Sequence, residues 1–114
     1  MTEARGKVLL LGAEGIGQGD DTLGYGLVAR LLEALSKRDD VPSAIALWNT
    51  AVKLVTDDSP LLPYWQRLEA KGVNILSCQT CVKQLGLTGK MGVGKLATLD
   101  EILDLILHND LISL

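Results

Sequence analysis

The sequence lacks both a long apolar segment and a cluster of basic residues. No stretch approaches the roughly 18 apolar residues that cross a membrane, and the N-terminus has neither the apolar core nor the small-residue cleavage site of a signal peptide. The formal net charge is -3, and the eleven Lys and Arg residues are scattered along the chain. The sequence therefore predicts no membrane partner and no nucleic-acid partner, and we expect a cytoplasmic protein.

Histidine is scarce, and nucleotide-binding glycine motifs are lacking. The single histidine, His108, lies far along the chain from the two cysteines, so one chain cannot complete an ordinary four-ligand zinc site without carboxylates or a second subunit. The glycines between Gly12 and Gly19 do not form G-x-G-x-x-G, and Asp20 and Asp21 would repel a pyrophosphate at the start of the next helix. We therefore predict no metal and no cofactor.

Apolar runs and helical patterns alternate along the 114 residues. The chain is 47% apolar and 22% charged, which is typical of a globular protein, and we expect a single domain over residues 1–114. The predicted strands are Val8–Leu11, Ser43–Trp48, Val73–Ser77, Lys95–Ala97 and Leu111–Ser113. Because these strands are apolar on both faces and alternate with helices, we expect an α/β fold, a three-layer α/β/α sandwich around a mainly parallel sheet of about five strands.

Leucine spacing and capping residues mark the predicted helices. An amphipathic helix from about Asp21 to Lys37, capped by Asp20, is predicted by Leu23, Leu27, Leu31, Leu32 and Leu35, which recur at spacings of three and four. Ser59 is typical of the cap of another helix, which ends near residue 71. Further helices are predicted at 51–55, 79–85 and 99–107. In the helix after Ser59, Tyr64 and Trp65 are expected to help form an oligomer surface.

Cys78 and Cys81 form a C-x-x-C between the third predicted strand and the following helix. In a parallel sheet, functional groups collect beyond the carboxyl ends of the strands. The free backbone N–H groups at a helix start favour a thiolate there. We therefore predict that Cys78 is a nucleophile that attacks a persulfide and carries the terminal sulfur as Cys–S–SH, and that Cys81 has a resolving or structural role.

Two other interpretations of the cysteines remain open. Free cysteine is among the most buried residue types, so both thiols could be inert parts of a non-catalytic oligomeric module that binds a ligand or partner in an apolar cleft. A C-x-x-C pair can also cycle between dithiol and disulfide as a redox centre. Asn49, at the end of the second predicted strand, is expected to face the same crevice and either bind a substrate or form a turn.

Three motifs, taken in order, resemble those of a known protein family. They are Gly17-Gln18-Gly19-Asp20-Asp21-Thr22-Leu23-Gly24, Trp48-Asn49-Thr50-Ala51-Val52-Lys53-Leu54 and Cys78-Gln79-Thr80-Cys81. The sequence resembles the DsrE/DsrF-like family, in particular the C-terminal domain of the sulfurtransferase-like selenium-metabolism proteins called YedF. In that group the motifs read G-x-G-D-x-x-L-G, Y-N-x-x-V-K-L and C-G-T-C-L, from which Trp48, Ala51 and Gln79 depart.

The resemblance implies a small α/β protein that forms homo-oligomers and carries persulfide sulfur, or selenium, in a sulfur relay. It implies that Cys78 is the sulfur-accepting cysteine and that Cys81 matches a second cysteine of the group. The substrate-binding residues that it implies are Gly19, Asp20, Asn49 and Lys53. It also implies separate sulfur-donor and acceptor proteins, including a small sulfur-carrier protein, because this sequence does not contain the carrier-like domain of the larger relatives.

Overall fold

The apolar runs form the strands of one sheet. In the computed structural model, which describes residues 7–114, the strands are β1 (Lys7–Leu11), β2 (Ala44–Leu47), β3 (Asn74–Cys78), β4 (Lys95–Ala97) and β5 (Asp110–Ser113). Each predicted strand is present, and its ends differ from the prediction by at most one residue. Residues 1–6, part of the N-terminal segment predicted to lack a signal peptide, lie outside the described residues.

The segments between the strands form helices. These are α1 (Asp21–Leu35), a 3₁₀ segment (Asn49–Val55), α2 (Leu62–Ala70), α3 (Gln79–Gln84) and α4 (Leu99–His108). The sheet order is β4-β3-β2-β1-β5, and all neighbouring strands are parallel, which requires a crossover segment between successive strands. Residues of α1 and α2 share a buried cluster with one face of the sheet, whereas α4 packs on the other face. The predicted α/β sandwich with a parallel sheet is confirmed.

Helix α1 turns inward a face that coincides only partly with the leucine series, because Leu32 is buried and Leu35 packs against the core. Its buried residues are Gly24, Val28 and Leu32, whereas Leu23 and Leu27 are exposed. The loop before the helix sets this orientation, because the Ile16 N–H donates to the Gly24 carbonyl at 3.1 Å. A Cβ at Gly24 would lie 3.2 Å from the Ile16 carbonyl oxygen, so this close approach favours glycine.

Helix α2 begins at Leu62, later than the sequence predicts. Ser59 does not cap it, because its hydroxyl accepts the Leu61 N–H at 3.2 Å in the turn that precedes the helix. Trp65 and Leu68, one turn apart, both face the core, and Trp65 is completely buried. The prediction that Trp65 helps form an oligomer surface is therefore wrong, because burying its large apolar ring contributes to the core of the domain.

The orientation of α1 predicts different losses of stability for two leucine substitutions. Leu32 is 1% exposed, whereas Leu23 is 63% exposed. We expect Leu32→Ala to lower the free energy of unfolding by about 2 to 5 kcal/mol, because it leaves a cavity, and the matched Leu23→Ala to lower it by less than about 0.5 kcal/mol. Urea unfolding followed by circular dichroism measures both values. Equal losses would contradict this orientation of the helix.

Candidate functional site

The parallel pairing of β2 with β3 brings two chain segments together at the carboxyl edge of the sheet. Leu47 lies opposite Ser77, so Asn49 follows β2 close to the level at which Cys78 ends β3. Cys78 in turn lies opposite Ala97, the last residue of β4. This is the edge at which ligands collect in parallel sheets, and it is where the sequence predicts the site.

The start of α4 completes this edge. Thr98 caps the helix, because its hydroxyl accepts the Glu101 N–H at 3.2 Å while the Glu101 carboxylate accepts the Thr98 N–H at 2.8 Å. This reciprocal pair sets the first residue of the helix at Leu99. Leu99 is a site residue that the sequence analysis missed, although its place just beyond the end of a parallel strand could have indicated it.

A pocket of about 490 Å³ opens at this edge. It is lined by Trp48, Asn49, Cys78, Thr80, Cys81, Gln84, Leu85 and Leu99. Within residues 7–114, no acidic or basic side chain belongs to this lining. Leu85 and Leu99 also reach the surface, so the pocket is a mainly apolar cleft that contains two thiols and opens to solvent.

Cys78 lies deep in this pocket and is 4% exposed. It packs with Ala97 and Ile102 on the face of the sheet that α4 covers. Cys78 is also the N-cap residue of α3, but its side chain accepts no hydrogen bond from the amides of that helix, which has six residues. We expected the N–H groups at the start of α3 to stabilise the Cys78 thiolate, but none of them donates a hydrogen bond to its sulfur.

Cys81 lies one helical turn beyond Cys78 and is partly exposed. Its Sγ accepts a hydrogen bond from the main-chain N–H of Asn49, with an N to Sγ distance of 3.0 Å. Burial raises the pKa of the Cys81 thiol above its ordinary value, the neighbouring thiol of Cys78 raises it further, and the Asn49 N–H opposes these effects. Cys81 therefore keeps its proton to a higher pH than an ordinary cysteine does.

Asn49 turns the chain at the end of β2. Its φ is 54°, and within residues 7–114 it is the one non-glycine residue with a positive φ. Asparagine adopts this left-handed conformation more readily than most residues do. The residue before it, Trp48, is extended, and the 3₁₀ segment starts at Asn49. The turn directs the main-chain N–H of Asn49 to the sulfur of Cys81, so its contact with the thiols is made by its backbone.

The other predicted substrate-binding residues lie outside the cysteine pocket. The Asp20 carboxylate accepts the Leu23 N–H at 2.8 Å and caps α1, as the sequence predicts. Gly19, with a φ of 125°, directly precedes it. Asp20 lines a second depression of about 390 Å³, and the exposed Lys53 lines a third of about 290 Å³. The predicted residues that the structure brings together are Cys78, Cys81 and Asn49.

The described part of the chain has neither a cluster of metal ligands nor a membrane-spanning helix. In residues 7–114, no group of three or more His, Cys, Asp and Glu side chains is placed to hold a metal ion. No helix in this range is both long enough and apolar enough to cross a bilayer.

The sequence around the site matches the model of a known protein family. The family model described as the DsrE/DsrF-like family matches residues 20–114. The chain belongs to the DsrE/DsrF-like family. The matched range contains every residue that lines the cysteine pocket. No curated protein matches the chain.

Several solved structures share the fold. The ychN protein from E. coli covers 96% of this chain and 99% of its own at a TM-score of 0.68 and 18% identity. The protein of unknown function MTH1491 from Methanobacterium thermoautotrophicum covers 96% and 98% at a TM-score of 0.68 and 12% identity. BT1422 from Bacteroides thetaiotaomicron, also of unknown function, covers 96% and 95% at a TM-score of 0.62 and 20% identity. At these identities the likeness concerns the fold.

The surroundings of Cys81 predict how its alkylation depends on pH. We expect the rate for native Cys81 to rise with a midpoint above that of the same cysteine in urea, because burial and Cys78 both oppose its thiolate. Iodoacetamide labelling from about pH 7 to about pH 10.5, resolved by peptide mass spectrometry, measures both midpoints. Cys78→Ala should lower the native midpoint. A native midpoint at or below the denatured one would contradict this account of the site.

Proposed function

We propose that this protein carries persulfide sulfur on Cys78 as a sulfurtransferase-like member of a cytoplasmic sulfur relay. The observation that carries the proposal is the pairing of two free thiols in one apolar pocket at the carboxyl edge of the sheet. Membership of the DsrE/DsrF-like family supports it, because that family is generally associated with sulfur relay. The motifs shared with YedF-type proteins extend the proposal to selenium as a possible cargo.

The proposed reaction needs no cofactor. The Cys78 thiolate attacks the terminal sulfur of a donor R–S–SH, the donor S–S bond breaks, and the donor leaves as R–S⁻ while Cys78–S–SH forms. An acceptor thiolate then attacks the terminal sulfur and Cys78 leaves as a thiolate. Sulfur moves between thiols, so no external oxidant or reductant is required. Because Cys78 is almost completely buried, both reactants must approach through the pocket.

The composition of the pocket supports a protein-borne persulfide as donor. Thiosulfate is a dianion. It would lose its hydration on entering this mainly apolar pocket, and the described lining contains no cation to compensate for that loss. A cysteine persulfide on a partner protein presents a small sulfur group that suits the same pocket. The partners proposed are thus a donor and an acceptor protein, one of them a small sulfur-carrier protein. Gly19, Asp20 and Lys53, which lie outside the pocket, would then contact the bound partner.

Mass spectrometry of the intact protein tests the proposal. After incubation with a persulfide-loaded cysteine desulfurase, we expect a gain of about 32 Da, the mass of one sulfur atom, that is absent in Cys78→Ser. Thiosulfate at the same concentration should load the protein far more slowly. A wild-type protein that gains no sulfur from the loaded desulfurase would exclude the carrier function. A loss of about 2 Da in place of the gain would indicate a Cys78–Cys81 disulfide and dithiol redox chemistry instead.

A non-catalytic binding module is the second candidate, and the burial of Cys78 favours it. In such a module both thiols belong to the core and the apolar cleft binds a ligand or partner without covalent chemistry. Native alkylation of Cys78 would then be as slow as that of a core thiol, and partner binding would survive Cys78→Ser. Sulfur loading at Cys78 would exclude this candidate.

A homo-oligomer is part of the proposed function, and the outer face of α4 supports it. Leu99, Leu103 and Leu107, spaced one turn apart, are 60%, 47% and 67% exposed. A second copy of the chain packing there would cover apolar area that is unfavourable in water. Because Leu99 also lines the cysteine pocket, this interface would border the site.

Substitution of this leucine row tests the interface. We expect light scattering after size exclusion to give an oligomer for the wild-type protein and a lower mass for the Leu103→Glu/Leu107→Glu variant, because buried carboxylates oppose association. The control is Leu23→Glu/Leu27→Glu, which places the same two charges on the exposed leucines of α1 and should leave the mass unchanged. A monomeric wild-type protein would contradict the prediction.

A further inference from the structure

Gly12, Trp48 and Cys78 form a row across the ends of the neighbouring strands β1, β2 and β3. The last paired residues of these strands stand one position before them. The Trp48 N–H donates to the Leu11 carbonyl at 3.1 Å, which extends the pairing of β1 with β2 by one residue. Because side chains alternate along a strand, all three positions belong to the face of the sheet that α4 covers. Trp48 therefore lies between Gly12 and Cys78.

The indole of Trp48 reaches from the end of β1 to the cysteine pocket. A Cβ at Gly12 would lie 3.3 Å from the indole Nε1 and 3.6 Å from Cδ1, so this edge of the ring rests on the main chain of Gly12. Trp48 also lines the pocket and packs against the buried cluster that contains Cys78. The ring is therefore the wall of the pocket on the side of β1, and Gly12 supports that wall from behind.

The backbone does not require a glycine at position 12. The φ of Gly12 is not positive, so residues with a side chain could adopt its conformation. Apart from those of its chain neighbours, the described atoms within 4 Å of its Cβ position both belong to Trp48. Non-bonded heavy atoms pack best at about 3.5 to 4.0 Å, so a side chain at position 12 would require the indole to move. The missing side chain makes room for the ring.

We propose that Gly12 seats the indole of Trp48 over β1 and that this pair determines which reactants reach Cys78. With Gly12 on one side of the ring and Cys78 on the other, a side chain at position 12 displaces the ring toward Cys78 and narrows the pocket. The inference rests on the proposed function of Cys78 and adds the specificity of its pocket. The seated ring admits a narrow group, such as the terminal sulfur of a cysteine persulfide, and excludes a group as wide as an aromatic ring system.

A side chain added at position 12 tests the seat. We expect Gly12→Val to slow the iodoacetamide alkylation of native Cys78 by at least about fivefold, because overpacking displaces the ring. Fragmentation of the labelled peptide by mass spectrometry separates Cys78 from Cys81. A general loss of stability would have the opposite effect, because local opening exposes a buried thiol and accelerates its labelling.

Gly26→Val is the matched control. It adds the same side chain on α1, at a glycine that also has no positive φ and where a Cβ would meet nothing within 4 Å. Its Cys78 should be alkylated at the wild-type rate. Equal slowing in Gly12→Val and Gly26→Val would show that contact with the indole is not the cause.

Removal of the ring tests the wall. The rates of iodoacetamide and of the wide reagent N-pyrenylmaleimide at native Cys78 are each divided by the rate in urea, which removes the difference in intrinsic reactivity. We expect Trp48→Ala to raise this ratio at least about tenfold for the maleimide and less than about threefold for iodoacetamide, because loss of a large ring leaves a cavity. Equal increases for the two reagents would indicate general opening and contradict a selective wall.

The double variant Gly12→Val/Trp48→Ala shows whether the two residues act through each other. If the valine slows Cys78 by displacing the ring, it has no effect once the ring is gone, and the double variant should match Trp48→Ala. Independent effects would multiply instead. Gly12→Ala, which adds only the Cβ, should slow alkylation by about twofold and replaces the valine variant if that variant does not fold. Wild-type rates in the folded Gly12 variants, or slowing that persists without the indole, would overturn the proposal.

Sulfur loading separates failure of this inference from failure of the proposed function. With the loaded desulfurase, Gly12→Val should gain sulfur more slowly than the wild-type protein does. A wild-type protein that gains no sulfur would exclude the carrier function, whereas the alkylation ratios would still test the wall at Trp48. A wild-type protein that loads, together with a Gly12→Val variant that loads and alkylates equally fast, would exclude the inference alone.

Discussion

The parallel pairing of β2 with β3 is the constraint on which the cysteine pocket depends. Because parallel strands end at the same edge of a sheet, Asn49 and Cys78 emerge side by side from segments that are distant along the chain. An antiparallel arrangement would place them at opposite edges. Helix α3 then begins directly after Cys78, so Cys81 returns to the same edge one turn later and meets the backbone of Asn49.

The two sulfurs have different surroundings because Cys78 ends strand β3 and Cys81 lies on helix α3. Cys78 packs in the cluster under α4, whereas Ile75 belongs to the cluster on the opposite face of the sheet. Cys81, on α3, contacts both clusters and keeps partial exposure. One thiol is therefore protected from solvent and the other lies nearer the opening of the pocket. In the proposed relay, this arrangement would protect the carried sulfur from solvent and keep it within reach of a partner.

Electrostatics in the pocket come from dipoles and not from full charges. Within the described chain, no acidic or basic side chain lines the pocket, and the one N–H directed at a cysteine sulfur belongs to the backbone of Asn49. In apolar surroundings, hydrogen bonds are stronger than in water. A single oriented N–H can therefore influence sulfur chemistry there, and an anionic small molecule would lose its hydration in this pocket without meeting a cation.

Much of the architecture could be predicted from local sequence, because it depends on local physical properties. The short apolar runs at Val8, Ile45 and Ile75 can be buried on both faces only in a covered parallel sheet. Asp20 and Thr98 cap helices with their own side chains. The C-x-x-C and the motifs around it indicated the family and the edge of the sheet at which Cys78 and Cys81 lie.

Features that depend on contacts between distant segments could not be predicted in this way. The inward face of α1 depends on how the loop at Ile16 packs on Gly24, and the burial of Trp65 depends on where α2 meets the sheet. The role of Asn49 is the clearest case, because its main-chain N–H contacts a sulfur 32 residues away. Every residue except proline has such an N–H, so the sequence could not indicate that this one contacts a sulfur. The asparagine at position 49 made the left-handed turn possible, and the tertiary structure decided where its N–H is directed.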